Sequence, residues 1–178
     1  MNQSPNQIRG GKASFAAGTD VISIKPHHFV DILTALGGGH MNPEPHPYGH
    51  ALHRVTRQIL DNRDIRLRIE LGADDICRPC RHNVNGQCDD TIDTSFRPAA
   101  PKSKEAWNLL IDTRWCERLI LRQGDTLTAR QLCERIREHA GDITDIYREI
   151  PAARTAEKQT RLQQGIATFL QDHQKAGN

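Results

Sequence analysis

The sequence predicts a mostly helical α+β fold with a minimal two-stranded sheet, five to six helices and a cysteine-rich metal loop. Apolar residues recur at helical spacing along most of the chain, and two short runs have the pattern of strands. Three of the five cysteines fall between positions 77 and 88, in residues that favour a loop. The length of 178 residues suits one domain with a sizeable core.

The first half of the chain is predicted to hold both strands. In chain order the elements are a strand, two helices and a strand, at 21–25, 27–36, 48–60 and 65–71. Pro26 closes the first strand and permits a helix start, and three glycines from Gly37 end that helix. Strict alternation of apolar and charged residues over 65–71 indicates a strand with one wet face.

The second half is predicted to be helical. Four helices are expected, at 103–121, 128–139, 142–149 and 154–171. Thr128 and Gln131 have the spacing of a capping box, and Pro151 stops the short third helix. We divide the chain into a flexible arm (1–20), a cysteine/histidine metal- or cluster-binding domain (21–150) and a C-terminal amphipathic helix packed on that domain (151–178).

Composition excludes several classes of protein. The 24 basic and 22 acidic residues are dispersed and leave a net charge of +2, which gives no argument for a nucleic-acid partner. No apolar run approaches the ~20 residues of a membrane span, and the first residues lack the apolar segment of a secretory signal. We therefore expect a cytoplasmic protein, in which CxxC cysteines are ligands or redox groups more often than disulfides.

The cysteine loop predicts a metal site. Cys77 and Cys80 form a CxxC turn, and the turn at Asn85-Gly86 brings Cys88 back towards them. Thiolates suit both zinc and iron–sulfur clusters, so a closed zinc knuckle is the alternative to a cluster. The candidates for a fourth ligand are His82, Asp31, Cys116 and Cys133.

The histidines form two groups. His27 and Asp31 are four apart and share a helix face, with His28 beside them, so this face could bind metal or relay a proton. The alternative is that His27 and His28 only satisfy backbone groups near the helix start. His50 and His53, three apart on the next helix, could bind a second metal or face a substrate.

Several of these motifs together resemble the DUF1284 family of small bacterial and archaeal proteins, over roughly residues 20–140. The matching stretches are Ile24–Phe29, Gly37–His40, Gly72–Cys80 and Cys88. The resemblance implies an iron–sulfur cluster. In the family a cysteine often follows the His-His pair by three positions, where this chain has Asp31. The resemblance therefore implies a cluster held by Cys77, Cys80, Cys88 and Asp31, with one labile iron.

Three functions follow as hypotheses. The first is a [4Fe–4S] protein whose labile iron acts as a Lewis acid on a small-molecule substrate, with proton transfer by His27, His28 and His50. The second is an electron carrier or accessory protein, with Arg78 and Arg81 guiding a redox partner protein. The third is a zinc-stapled structural or interaction module. The sequence leaves open whether the protein is an enzyme.

Overall fold

The computed structural model describes residues 21–171, so the predicted arm at 1–20 and the last seven residues lie outside it. Within this range there are five helices: α1 (Pro26–Gly37), α2 (Leu52–Asp61), α3 (Lys104–Leu119), α4 (Ala129–His139) and α5 (Ala152–Gln171). The strands are β1 (Val21–Ile24), β2 (Arg66–Ile69), β3 (Asn83–Val84), β4 (Gln87–Cys88) and β5 (Thr126–Thr128). None of the helices in the described range has the length and apolar character needed to cross a membrane.

The main sheet has three strands in the order β1-β2-β5. β1 and β2 are parallel, with Ile24 opposite Ile69, and β5 runs antiparallel to β2, with Leu127 opposite Leu67. The mostly helical α+β class is confirmed, and the sheet has one strand more than predicted. β5 is only three residues long, too short for its alternation to stand out in the sequence.

Helix α5 closes the core by packing on α1 and α4. The rings of Phe29 and Phe169 meet edge to face with their centroids 6.0 Å apart. At the crossing of α1 and α5, Gly37 and Gly165 bring the two backbones into direct contact. A Cβ on Gly37 would lie 1.9 Å from the Arg161 carbonyl oxygen, and one on Gly165 would lie 1.8 Å from that of Leu33. Only glycine fits either position.

One predicted helix start and one predicted helix are wrong. α2 begins at Leu52 rather than at 48, because Gly49 has a φ of +75° and turns the chain before the helix starts. The predicted helix at 142–149 is a series of turns. A side chain of α3 binds backbone carbonyls at the start of this segment: the Arg118 guanidinium donates to the carbonyls of Ala140 and Asp142. These outside donors make a helix unnecessary.

Arg114 fixes the end of this turn segment. Its guanidinium donates to the Ile146 carbonyl at 2.7 Å and to both carboxylate oxygens of Glu149 at 2.8 Å. We expect Arg114→Met to lower the free energy of unfolding by about 2 kcal/mol, because hydrogen bonds to charged, mostly buried groups are lost. Urea unfolding measures the change. Arg148→Met is the matched control: Arg148 approaches Glu149 at 3.5 Å but is 68% exposed, so a comparable loss there would contradict the prediction.

Candidate metal-binding cavity

The parallel pairing of β1 and β2 brings two sequence motifs to one edge of the sheet. β1 leads into the corner at 26–28, and β2 leads into the loop at 70–80. Since the strands are parallel, their carboxyl ends lie side by side. The Asp75 backbone N–H donates to the Ser23 carbonyl at 3.0 Å, and the Ser23 N–H donates to the Asp75 carboxylate at 2.8 Å. The histidine corner and the cysteine loop are therefore neighbours.

Asp74 ties the two motifs together. It is fully buried, and its Oδ2 accepts from the Lys25 N–H at 2.8 Å and from His28 Nδ1 at 2.7 Å. Its Oδ1 accepts from the Cys77 N–H at 2.9 Å. Burial opposes ionisation of Asp74, but the charge of His28 and these hydrogen bonds outweigh it and hold the pKa of the carboxyl below its usual range. Asp74 is an ionised anchor for both motifs.

His27 has a separate buried carboxylate. Asp112 of α3 accepts from the His27 backbone N–H at 2.8 Å and from His27 Nδ1 at 2.7 Å. The rings of His27 and His28 lie 4.3 Å apart. In both histidines the carboxylate engages Nδ1, so Nε2 is left for another partner. Two neighbouring imidazoles, each oriented by a buried acid, therefore stand at the start of α1.

The cysteine loop folds back as predicted. Asn85 and Gly86 have φ values of 53° and 86°, the conformation of a tight hairpin turn between β3 and β4. The Cys80 N–H donates to the Cys77 carbonyl at 2.9 Å, which closes the CxxC turn. Cys88 lies at the end of β4, so the hairpin returns it to the CxxC side.

The three cysteines face a cavity of about 400 Å³ between α1, α3, α5 and the hairpin. The imidazoles on its wall are those of His27, His28, His50 and His82. A recess of about 20 Å³ adjoins the cavity and is lined by Cys77, Cys80, Cys88 and His82. Three cysteines and one histidine thus border the same small recess, whose volume is about that of one ion.

Cations also face the cavity. Lys104 and Lys158 reach it from α3 and α5, and each pairs with a carboxylate. Lys104 Nζ lies 2.8 Å from Asp90, and Lys158 Nζ binds Asp31. Lys25 is 1% exposed and lines the recess together with the cysteines. The wall near the thiols therefore carries both ammonium and carboxylate groups.

Within residues 21–171, one group of three metal-ligating side chains has its ligand atoms all within 4.8 Å of one another, namely His28, Asp74 and Cys77. Burial, followed by the charge of Asp74, raises the pKa of the Cys77 thiol to about 12. Cys77 is therefore a protonated thiol at neutral pH, and it must lose this proton when it binds a metal.

His50 is neutral at neutral pH. Burial, followed by the nearby charges of His46 and His28, lowers the pKa of His50 to about 4. Its ring stacks on that of His46 at 4.2 Å, and its Nδ1 is buried without a hydrogen-bond partner among the described residues. The prediction that His50 and His53 share one helix is wrong, because α2 begins at Leu52; His53 is not part of the cavity wall.

The candidates for a fourth ligand lie in different places. His82 lines the recess beside the cysteines, and its Nδ1 is 2.8 Å from Asp89. Asp31 lines the cavity but is paired with Lys158. Cys116 and Cys133 are buried in the apolar core, where burial raises the pKa of both thiols, to about 11 and about 12.

Sequence reasoning missed the partners that come from the second half of the chain. Asp112, Lys104 and Lys158 are 85, 14 and 127 residues away in sequence from the side chains they bind. A signal for Asp112 existed: Asn108 and Asp112 fall in the buried stripe of α3 beside Trp115. Polar residues at buried positions need a partner, and here that partner is the start of α1.

Comparisons of the chain with family models, with curated proteins and with solved structures gave no match. The resemblance to the DUF1284 family therefore stays a prediction.

Proposed function

We propose that this protein binds an iron–sulfur cluster through the thiolates of Cys77, Cys80 and Cys88. The observation that carries the proposal is that all three side chains line one recess and one cavity, although a hairpin turn separates the third from the first two. Iron–sulfur clusters are held by cysteine thiolates in this kind of short, loop-borne arrangement. The adjoining cavity offers room beyond that of a single ion.

The charges around the cysteines support an anionic centre. A cluster on thiolates carries negative charge, which favours nearby cations. The Lys25 ammonium acts electrostatically on the Cys77 thiol, and the Lys104 ammonium acts on Cys80 and Cys88. The two lysines thus act on all three proposed ligands and would offset part of the negative charge of a cluster, while the Asp74 carboxylate opposes Lys25 at Cys77.

Of the four candidates for a fourth ligand that the sequence offered, His82 is the one that lies beside the cysteines. It belongs to the recess that the cysteines line, whereas Cys116 lies in the core. Asp31 faces the cavity, but binding a metal there requires its ion pair with Lys158 to break. The labile-iron model with Asp31 as an oxygen ligand is therefore the less favoured version of the proposal.

Zinc is the second candidate for the bound metal. The recess is lined by three cysteines and one histidine, which is the ligand set of structural zinc sites, and its volume of about 20 Å³ suits one ion. In a tetrahedral site with Zn–S bonds of about 2.3 Å the sulfurs lie about 3.8 Å apart. Cys80 and Cys88 do not belong to the group whose ligand atoms lie within 4.8 Å, which favours the cluster, whose thiolates bind separate irons.

We further propose that the cavity takes a small-molecule substrate. Its volume of about 400 Å³ is that of a small-ligand site, and imidazoles, ammoniums and apolar side chains share its wall. A bound cluster supplies either a Lewis-acidic iron or an electron. His27, held by Asp112, and the neutral His50 present nitrogens that accept a proton.

Docking of a redox partner protein is less favoured. Arg78 is already paired with Asp75 at 2.6 Å, and the Arg81 guanidinium lies over the Tyr48 ring at 4.3 Å. Both side chains therefore already have a partner within the chain, so neither needs an acidic partner protein to offset its charge. We place the protein in the cytoplasm, a reducing compartment in which its free cysteines persist.

The metal content of the full chain, purified without oxygen, tests the proposal. We expect iron and sulfide in similar amounts together with broad visible absorbance, all lost in the Cys77→Ser, Cys80→Ser and Cys88→Ser variants. Cys116→Ala and Cys133→Ala are the matched controls, because both thiols lie in the core away from the cavity, and we expect both to retain the cluster.

Two results would overturn the cluster. One zinc per chain in a colourless protein, lost in the same three serine variants, would establish the zinc alternative. Retention of the metal in all three serine variants would show that these cysteines are not its ligands.

A further inference from the structure

We propose that His28 Nε2 and Cys77 Sγ bind the same metal atom, and that Asp74 positions both ligands. This inference rests on the proposed metal centre and adds a nitrogen ligand to it. His28, Asp74 and Cys77 form the group in the described part of the chain whose ligand atoms all lie within 4.8 Å of one another. A ring nitrogen of His28 and the sulfur of Cys77 are thus close enough to share one metal atom, and because Asp74 holds Nδ1, we assign Nε2 to the metal.

Asp74 is a positioning residue in this arrangement. Its two carboxylate oxygens already accept three hydrogen bonds, from the Lys25 N–H, from His28 Nδ1 and from the Cys77 N–H. A carboxylate has about four acceptor sites in all, so little capacity is left for a metal. The metal contacts therefore fall to the imidazole and the thiolate, which Asp74 holds next to each other.

The orientation of His28 is that of a metal ligand. Metal-binding histidines commonly donate the ring N–H that does not bind the metal to a carboxylate, which fixes the tautomer and leaves the other nitrogen to bind. His28 donates Nδ1–H to the buried Asp74 at 2.7 Å and lines the cavity together with the cysteines. The nitrogen left for the metal is Nε2.

His82 has a similar hydrogen bond but a different environment. Its partner Asp89 is 57% exposed, whereas Asp74 is fully buried. In addition, the Arg81 Nε–H donor faces His82 Nε2 at 3.5 Å. A guanidinium at this nitrogen opposes a bound cation, so His28 is the better placed nitrogen ligand.

The test is titration of the demetallated full chain with Co²⁺, followed by the thiolate charge-transfer and visible bands of the bound ion. His28→Asn places an amide near the position of Nδ1, so it keeps a donor for Asp74 and removes Nε2. We expect this variant to bind Co²⁺ at least roughly 10- to 100-fold more weakly. Mutation of a residue that only orients a metal ligand already costs that much affinity. His82→Asn, the same change at the competing histidine, should bind Co²⁺ at least ~10-fold more tightly than His28→Asn.

His139→Asn, at the exposed end of α4, serves as the control outside the cavity and should bind Co²⁺ like the parent chain. Wild-type affinity in His28→Asn would overturn the inference, whatever His82→Asn does. The proposed cysteine site itself is contradicted only when the Cys80→Ser and Cys88→Ser variants also bind Co²⁺ normally. The experiment therefore distinguishes a wrong assignment of His28 from a wrong assignment of the whole site. If His28→Asn does not fold, X-ray absorption of the Co²⁺-loaded His82→Asn variant decides: an imidazole beside sulfur supports the inference, and sulfur without imidazole overturns it.

Discussion

Replacing Gly165 by alanine is expected to lower the free energy of unfolding by about 3 kcal/mol or more, the upper part of the range for overpacked sites. The new methyl group would lie 1.8 Å from the Leu33 carbonyl oxygen and 3.1 Å from the Gly37 nitrogen. These are backbone atoms of α1, so no side chain can move aside, and the two helices must separate. The melting temperature should fall by roughly 2–4 °C for each kcal/mol lost.

Gly37→Ala should behave in the same way, because its methyl group would meet the Arg161 carbonyl at 1.9 Å. Gly72→Ala is the matched control: its nearest neighbour would be the Glu70 carboxylate at 3.4 Å, an ordinary contact with a mobile side chain. Thermal melts of the three variants give the comparison. Equal melting temperatures for Gly165→Ala and Gly72→Ala would contradict the close crossing of α1 and α5.

Replacing Asp112 by alanine is expected to cost about 3–5 kcal/mol, the range for removal of one partner from a buried pair. Asp112 is fully buried and accepts both the backbone N–H and Nδ1 of His27. Its removal leaves two donors unpaired where α3 meets the start of α1. Asp112→Asn keeps one acceptor oxygen, so the loss should be smaller.

Chemical denaturation measures both Asp112 variants. Asp64→Ala provides the comparison at an exposed ion pair, because Asp64 is 68% exposed and lies 3.3 Å from Arg130. That substitution should cost less than about 1 kcal/mol. An Asp112→Ala protein as stable as Asp64→Ala would mean that the His27 contact contributes little to the fold.

The parts of the fold that sequence reasoning predicted are those specified by local patterns. The capping box joins Thr128 and Gln131 as expected, and the Asn85-Gly86 turn makes the hairpin that returns Cys88. These features depend on residues a few positions apart, so spacing is enough to predict them. The same reasoning failed at 142–149, where arginines of α3 bind the carbonyls of Asp142 and Ile146.

Only some residues of the cavity could be predicted from the sequence, because the others come from distant parts of the chain. Cysteines and histidines stand out by residue type, so the sequence predicts Cys77, Cys80, Cys88 and the His27-His28 pair as residues of the site. The carboxylate of Asp112 comes to His27 across 85 residues. No local pattern encodes that distance, because it follows from how α3 packs against α1.

The crossing of α1 and α5 also sets how the cavity can respond to an occupant. Because the two backbones are in direct contact at Gly37 and Gly165, α5 has no room to slide along α1. The position of Lys158 relative to Asp31 is therefore fixed. Tyr48 and His50, from the largely solvent-facing stretch at 40–50, line another part of the wall. A molecule entering the cavity thus meets one stiff side and one pliable side, so adaptation to its shape falls to the histidine-rich stretch.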